Sequence, residues 1–97
     1  MFKRINEQVA KEKLNNPQSV LLDMRDSESY SEGHLDGAIH LTQESIVEVM
    51  TNTAKDAPVL VMCYHGNGSQ NVAAYLAQQG FTDVYSIDGG YEGWSDK

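Results

Sequence analysis

The strongest constraint on the fold of this chain is the alternation of short apolar runs with longer amphipathic stretches. The apolar runs have the length and composition of buried strands, and polar or turn-forming residues separate them from the stretches between. The predicted strands span residues 2–5, 19–24, 38–41, 59–62 and 84–87. Because strands and helices alternate, the sequence predicts an α/β layer fold around a mostly parallel sheet.

Apolar periodicity and capping residues predict helices between these strands. The predicted helices run from Asn6 to about residue 14, from Asp26 or Ser27 to residue 32, from Thr42 to about residue 50, and from Ser69 to residue 79. A last helical piece carries Tyr91 and Trp94, which we expect to close the core. In the third helix, Ile46, Val47 and Met50 are predicted to share the buried face.

Length, charge and cysteine content narrow the class of protein. The 97 residues predict one domain, residues 1–97, with one core. The net charge of −7 and the pI near 4.7 argue against a nucleic-acid partner, which attracts basic surfaces. We expect neither a membrane span nor a signal peptide, because no apolar segment is suited to either. A lone cysteine suits a reducing compartment, which predicts a cytoplasmic location.

The lone cysteine, Cys63, stands where the most apolar predicted strand ends and a helix is about to begin. The loop of residues 63–68 contains two glycines, so its backbone N–H groups can surround the sulfur or what it carries. The helix start behind the loop adds unpaired N–H donors and a partial positive charge. Ligands of open α/β sheets lie beyond the carboxyl ends of the strands. We therefore predict a nucleophilic thiolate that handles a small anion or a sulfur atom.

Simple magnitudes show that this placement matters. A thiol with a pKa near 8.5 is only about 7% thiolate at about pH 7.4, whereas lowering the pKa by about two units makes it about 90% thiolate. That shift needs about 2.7 kcal/mol of differential stabilisation. A helix N-terminus supplies up to about 2 kcal/mol, and loop N–H donors can supply the rest. The loop contains no Lys or Arg, and this argument needs none.

Three segments, in order along the chain, resemble the rhodanese sulfurtransferases. They read LDMRD followed by GHLDGA (residues 22–38), CYHGN with the helix behind it (residues 63–67), and VYSIDGGY with a tryptophan beyond it (residues 84–94). The similarity is greatest to the short, single-domain bacterial type linked to glycerol-phosphate metabolism, the GlpE type of thiosulfate sulfurtransferase. The resemblance implies the three-layer rhodanese fold, a parallel sheet flanked by helices.

The resemblance also implies a reaction. The Cys63 thiolate would take the outer sulfur of thiosulfate, release sulfite and become a persulfide, without a metal or an organic cofactor. The persulfide would then pass its sulfur to cyanide or to a thiol acceptor, for which a small dithiol protein such as thioredoxin is one candidate. Backbone N–H groups of the loop would bind the transferred sulfur, and the residues that provide them are Tyr64, His65, Gly66, Asn67, Gly68 and Ser69.

The chain departs from the family pattern in its charge. Active-site loops of the family often carry Arg or Lys in the loop or just after it, whereas Ser69, Gln70 and Asn71 are uncharged here. Thiosulfate is a dianion and this protein is acidic, so we expect weak thiosulfate binding, which Gln70→Lys would strengthen. Another persulfide is then an alternative donor. His65 remains open between a base or cation of the site and a solvent-facing brace of the loop.

Two other functions compete with this interpretation. A cysteine-dependent phosphatase or arsenate reductase would use a C-x5-R loop, in which Arg holds the anion bidentately. The Arg position is Ser69 here, and no Arg follows Arg25 in the sequence. The second alternative is a sulfur carrier or regulatory persulfide-binding module, which a partner protein would supply with sulfur.

The remaining polar residues fit structural roles. Asp23, Arg25 and Glu28 are predicted to form a buried ion-pair network, not a catalytic cluster. His34 and His40 lack partners at the spacing that metal ligands need, so no metal site is expected.

Overall fold

The computed structural model describes residues 1–95 and 97, and it has the predicted alternation of strands and helices. The strands are β1 (Lys3–Ile5), β2 (Val20–Asp23), β3 (Ile39–His40), β4 (Val59–Met62) and β5 (Val84–Ile87). The helices are α1 (Glu7–Leu14), α2 (Ser27–Glu32), α3 (Ser45–Asn52) and α4 (Gly68–Gln78). None of these helices is long and apolar enough to cross a membrane.

The five strands form one sheet in the order β1-β5-β4-β2-β3. Every neighbouring pair is parallel, so the predicted α/β class is confirmed and the sheet is parallel throughout. Strand β4 is central, with Val61 in register with Leu22 of β2 on one side and Ser86 of β5 on the other. Because the strands are parallel, the segments that follow β2, β4 and β5 all emerge at one edge of the sheet.

Helices cover both faces of this sheet, which makes the three layers. Strand side chains alternate between the faces, as the pleat requires. One cluster joins the sheet to α1 and to the C-terminal segment through Ala10, Leu21, Leu60, Met62, Tyr85, Ile87 and Trp94. The other joins the sheet to α3 and α4 through Leu22, Val49, Val61, Ala73, Leu76 and Val84. Trp94 is therefore a core residue, as predicted.

Side-chain hydrogen bonds cap two helices and stabilise the turn before a third. Asn6 accepts a hydrogen bond from the N–H of Val9, and Asp26 accepts one from the N–H of Ser29, as predicted for α1 and α2. Thr42 Oγ1 accepts from the N–H of Ser45, and Ser45 Oγ accepts from the N–H of Thr42. This reciprocal pair stabilises the turn before α3, but the helix itself begins at Ser45, later than predicted.

Two predictions about helices are wrong. Val47 is 58% exposed, and Val49 lies in the core in its place. Ile46 lies three residues before Val49 and four before Met50, so these three side chains share a helical face, whereas Val47 directly follows Ile46 and lies to one side of that face. The predicted last helical piece, which carries Tyr91, is instead a series of turns that follows Gly89 and Gly90, whose φ values of +80° and +58° are left-handed.

A buried ion pair anchors the segment that follows β2. The Arg25 guanidinium donates to both carboxylate oxygens of Asp23, at 2.8 to 3.1 Å. It also donates to the carbonyl oxygen of Gly33 at 2.7 Å, and it lies over the Tyr91 ring. Glu28, predicted to join this network, is exposed on α2 and outside the pair, because its position on the helix faces solvent.

We predict that Asp23→Ala lowers the free energy of unfolding by about 3–5 kcal/mol, because it leaves the Arg25 charge buried without its partner. Chemical denaturation measures this change. The matched control is Arg4→Ala, which removes an exposed Arg–Asp pair at 2.9 Å between Arg4 and Asp88. That loss should cost less than about 1 kcal/mol. Equal losses in the two variants would contradict the argument from burial.

Candidate active site

Three segments meet at the carboxyl edge of the sheet, one after each of the strands β2, β4 and β5. Met24 follows β2, Cys63 follows β4, and the turn of Gly89 and Gly90 follows β5. Parallel strands place these segments together although they are far apart in sequence. The cysteine therefore lies at the edge of the sheet that the sequence predicted.

The Cys63 sulfur is surrounded by hydrogen-bond donors. Cys63 is only 6% exposed, and the backbone N–H groups of Gly66 and Ser69 reach its Sγ at 3.1 and 3.3 Å. Ser69 lies in the first turn of α4, where backbone N–H groups have no partner within the helix. The Ser69 hydroxyl is a third polar contact, with 3.3 Å between Oγ and Sγ.

These contacts favour the thiolate. Burial by itself raises the pKa of Cys63, because it penalises the charged form. The hydroxyl and N–H of Ser69, together with the N–H groups of Gly66 and His65, outweigh burial and lower the pKa below its ordinary value. The stabilisation comes from main-chain dipoles and one hydroxyl, without a cationic side chain.

The loop is braced from inside and from behind. Gly66 has φ +97° and is packed so closely that a Cβ there would lie 2.9 Å from the N atom of Gly89. The Gln70 side-chain amide donates to the Gly66 carbonyl oxygen at 2.9 Å. Position 66 therefore requires glycine for two reasons, the left-handed backbone angle and the lack of room for a Cβ atom. This fixes the N–H of Gly66 toward the sulfur.

The turn after β5 forms the back wall of the loop, a role that the sequence analysis did not assign. The N–H of Tyr91 donates to the Cys63 carbonyl at 2.8 Å, and the N–H of Glu92 donates to the Tyr64 carbonyl at 3.0 Å. A Cβ at Gly90 would lie 2.4 Å from the Cys63 carbonyl oxygen, so only glycine permits this approach. The paired glycines after β5 were the feature of the sequence that could have indicated this close approach.

Tyr64 ties the loop to the start of α2, which the sequence analysis also missed. Its hydroxyl donates to the carboxylate of Asp26 and lies 2.8 Å from the Ser29 hydroxyl oxygen. The Tyr64 hydroxyl and the N–H of Ser29 lower the pKa of Asp26, so this carboxylate stays ionised. Asp26 therefore serves both as a helix cap and as an anchor for the loop.

A pocket of about 280 Å³ opens in front of the sulfur. Its lining residues are Met24, Cys63, Tyr64, His65, Asn67 and Gly68. None of the described residues that line it is Lys, Arg, Asp or Glu. The pocket can admit a small molecule, but it offers a dianion no charged partner.

The structure brings the six predicted loop residues around one sulfur in two groups. Gly66 and Ser69 point their N–H groups at Sγ from the inner side. Tyr64, His65, Asn67 and Gly68 line the pocket on the outer side. His65 is exposed, so its side chain lies at the mouth of the pocket.

The other histidines have local structural contacts. Both His34 and His40 stack on the Tyr30 ring, with centroid distances of 3.8 and 4.7 Å. His34 Nδ1 donates to the carbonyl oxygen of Tyr30, and His40 Nε2 donates to that of Arg25, both at 2.8 Å. Within residues 1–95 and 97, no cluster of three or more His, Cys, Asp or Glu side chains could hold a metal.

Comparison with known proteins gives a consistent result. The family described as "Rhodanese-like domain" matches residues 6–97. Proteins named thiosulfate sulfurtransferase GlpE from Pseudomonas putida and Ectopseudomonas mendocina are each 50% identical over 93 residues, covering 96% of this chain and 84% of theirs.

Solved structures agree in fold. A rhodanese-like domain protein from Staphylococcus aureus superposes with a TM-score of 0.81 at 25% identity, covering 98% of this chain and 93% of that one. A human single-domain sulfurtransferase superposes with a TM-score of 0.80 at 14% identity, covering 94% and 93%. At that identity the human protein supports the fold alone.

The hydrogen bonds to Sγ predict the pH dependence of alkylation. Iodoacetamide should modify Cys63 with a pH midpoint below about 8.5, the ordinary cysteine value. Ser69→Ala removes the hydroxyl but keeps the backbone N–H, so it should raise this midpoint. The measurement is the alkylation rate over a pH series. A wild-type midpoint at or above the ordinary value would contradict the argument.

The same lowered pKa affects stability. A group whose pKa is lower in the folded state stabilises the fold fully above its unfolded pKa, and this contribution disappears as pH falls through the folded value. The stability difference between wild type and Cys63→Ser should therefore grow with pH up to about 8.5. Denaturation at several pH values tests this, and a difference that shrinks with rising pH would show the opposite shift.

Proposed function

This chain belongs to the rhodanese-like family, and we propose that it is a thiosulfate sulfurtransferase in which Cys63 is the nucleophile. The single observation that supports this most strongly is the pair of N–H groups, from Gly66 and Ser69, directed at the Cys63 sulfur. Relatives that are 50% identical and named for this activity support the same conclusion. The family of the chain and the hydrogen bonds around its lone thiol therefore both support a nucleophilic role for Cys63.

In the first half of the proposed reaction, the Cys63 thiolate attacks the outer sulfur of thiosulfate. A bond forms between the two sulfur atoms, and the sulfur–sulfur bond of thiosulfate breaks. Sulfite leaves with the electron pair of that bond, and Cys63 becomes a persulfide. No general base is required, because the lowered pKa of Cys63 supplies the thiolate directly.

The persulfide is also an anion, but its charge lies on the outer sulfur, in the pocket. Backbone N–H groups of Tyr64 to Ser69 would stabilise this charge as an oxyanion hole stabilises an oxygen. Two features hold these groups in place before the reaction, the Tyr64–Asp26 contact and the turn behind Gly66. A fixed arrangement of dipoles needs no reorganisation when the charge moves outward.

In the second half, a nucleophile takes the outer sulfur and restores the thiolate. Cyanide serves in assays, and a cellular thiol, including that of a small dithiol protein such as thioredoxin, is the acceptor that we propose. The pocket in front of Cys63 gives such a thiol an approach. We propose a cytoplasmic location, because a reducing compartment keeps a reactive thiol from being oxidised.

Phosphate chemistry fits the site less well. A C-x5-R loop needs Arg at position 69, where the structure has a buried serine. The nearest Arg in the sequence, Arg25, is committed to Asp23 and to the carbonyl oxygen of Gly33. Release of phosphate from an aryl phosphate should therefore be no faster with wild type than with Cys63→Ser.

The uncharged pocket favours one alternative within the same chemistry, a carrier that receives sulfur from a partner's persulfide. Such a carrier would accept sulfur from a cysteine desulfurase but turn over thiosulfate poorly. Comparing the two rates on one preparation separates a carrier from an enzyme. Rapid thiosulfate:cyanide turnover supports the enzyme.

Intact-protein mass spectrometry tests the proposed intermediate. After exposure to thiosulfate, wild type should gain the mass of one sulfur atom, about 32 Da, and lose it again on addition of cyanide. Cys63→Ser should show no gain, because it lacks the nucleophile. A gain of the same size in Cys63→Ser would place the sulfur elsewhere and would contradict the proposal.

The uncharged pocket predicts a high KM for thiosulfate, which an added cation should lower. Gln70 is poorly suited to this change, since its amide braces Gly66. His65 is exposed at the mouth of the pocket and is the better position. His65→Lys should lower the KM about three- to tenfold at low salt, with the gain shrinking as salt is added.

The matched control for this variant is His65→Gln, which removes the imidazole without adding charge. Steady-state kinetics of both variants should show a lowered KM in His65→Lys alone. An unchanged or higher KM there would refute the argument from missing charge. A loss of kcat shared by both variants would instead assign the imidazole a role in the reaction.

A further inference from the structure

A short chain of buried hydroxyl groups leads away from the Cys63 sulfur toward the interior. The Ser69 hydroxyl oxygen lies 3.3 Å from Sγ, and the Ser86 hydroxyl oxygen lies 2.8 Å from that of Ser69. Both serines are fully buried, at 0% exposure. Ser86 belongs to β5, not to the loop, and the proposed mechanism has not used it.

The surroundings of Ser86 would suit an apolar residue. Its partner in the neighbouring strand is Val61, and Val84 lies two residues before it on the same face of β5. Both valines belong to the cluster between the sheet and α4. A hydroxyl in such a place is costly unless it is hydrogen-bonded, and Ser69 provides its bond.

The ionisation state of Cys63 decides which serine donates the hydrogen bond between the Ser69 and Ser86 hydroxyl groups. In the thiol form, Cys63 donates to Ser69 Oγ. A thiolate can only accept, so the Ser69 hydroxyl must turn its one proton toward the sulfur. Ser69 then cannot donate to Ser86, and the bond between the serines persists only if Ser86 donates.

We infer that Ser86 is a positioning residue for the nucleophile: by donating to Ser69, it holds the Ser69 proton on the Cys63 thiolate. The serine pair does not carry the thiol proton away, since Ser86 lies in the interior. That proton leaves to solvent through the pocket in front of the sulfur, and each hydroxyl only rotates.

The direction of the effect follows from charge. Removing the Ser86 hydroxyl deletes one hydrogen bond from both ionisation states. In the thiolate state, however, this bond belongs to a chain that ends on a charge, where each bond strengthens the next. The thiolate therefore loses more than the thiol does.

The inference also predicts how sulfur transfer depends on Ser86. Attack on the donor needs charge on the inner sulfur, next to Ser69. Discharge to the acceptor restores that charge, because the Cys63 thiolate is the leaving group when the bond between the two sulfur atoms breaks. Ser86→Ala should therefore slow both persulfide formation and discharge to the acceptor.

The decisive experiment is a double-mutant cycle on the pH dependence of iodoacetamide alkylation of Cys63. Ser86→Ala should raise the midpoint, so that alkylation well below the midpoint falls about two- to threefold, while the rate at high pH is unchanged. Ser69→Ala should lower alkylation about tenfold or more in the same range, because it removes the direct bond to the charge. In the Ser69→Ala background, Ser86→Ala should cause no further change.

Two controls separate positioning from a merely structural role. Val84→Ala is also a truncation in buried β5, so it should lower the thermal midpoint without moving the alkylation midpoint. Ser86→Thr keeps the hydroxyl, so it should retain the wild-type alkylation midpoint even if the added methyl group destabilises the protein. The inference is wrong if Ser86→Thr shifts as Ser86→Ala does.

The inference about Ser86 is also wrong if Ser86→Ala leaves the alkylation midpoint unchanged, or shifts it equally with and without the Ser69 hydroxyl. This inference rests on the proposed role of Cys63 as a nucleophile, but alkylation needs no sulfur transfer. Absence of a persulfide after thiosulfate exposure would count against the proposed function, whereas the cycle tests the serine pair alone.

Discussion

The site depends on one arrangement, in which a buried sulfur accepts hydrogen bonds from backbone N–H groups that no carbonyl group within the helix or loop satisfies. Burial alone would keep the Cys63 thiol protonated and inert. The N–H groups of Gly66 and Ser69 reverse that tendency, and the parallel sheet makes this possible. The loop after β4 leads into α4, and α4 connects β4 to the parallel strand β5. The Cys63 sulfur therefore lies between the carboxyl end of a strand and the N-terminus of a helix.

The loop cannot hold this arrangement by itself, and distant parts of the chain hold it. Tyr64 is fixed by Asp26 of the first crossover, while Gly90 supports the main chain of Cys63 from behind. These contacts join the segments that follow β2, β4 and β5. The dipoles are fixed before the reaction, which is the condition under which they stabilise a moving charge most effectively.

The choice of main-chain dipoles over charged side chains has a consequence for selectivity. A cationic side chain near the sulfur would attract every small anion, whereas this pocket presents His65 and Asn67 at its mouth and no ionic partner. The protein as a whole carries a net charge of −7. Its field therefore opposes a dianion most strongly, whereas a persulfide with one negative charge meets less electrostatic resistance and a neutral thiol meets little.

The sequence alone determined the fold class, most element positions, the family and the position of Cys63 at the end of β4, because these depend on local periodicity and on a contiguous motif. It did not determine the helical face of Val47, the turns after Gly89, or the separation of Glu28 from the Asp23–Arg25 pair. Only the tertiary structure assigned Gly90 and Ser86 to the surroundings of the sulfur and showed that the Tyr64 hydroxyl anchors the loop. Those contacts join residues more than one element apart, and no local pattern specifies which distant side chain a folded chain will bring within 3 Å of another. Periodicity depends on residues that are close in sequence, whereas the hydrogen bonds around the sulfur depend on residues that the sheet brings together from distant parts of the chain.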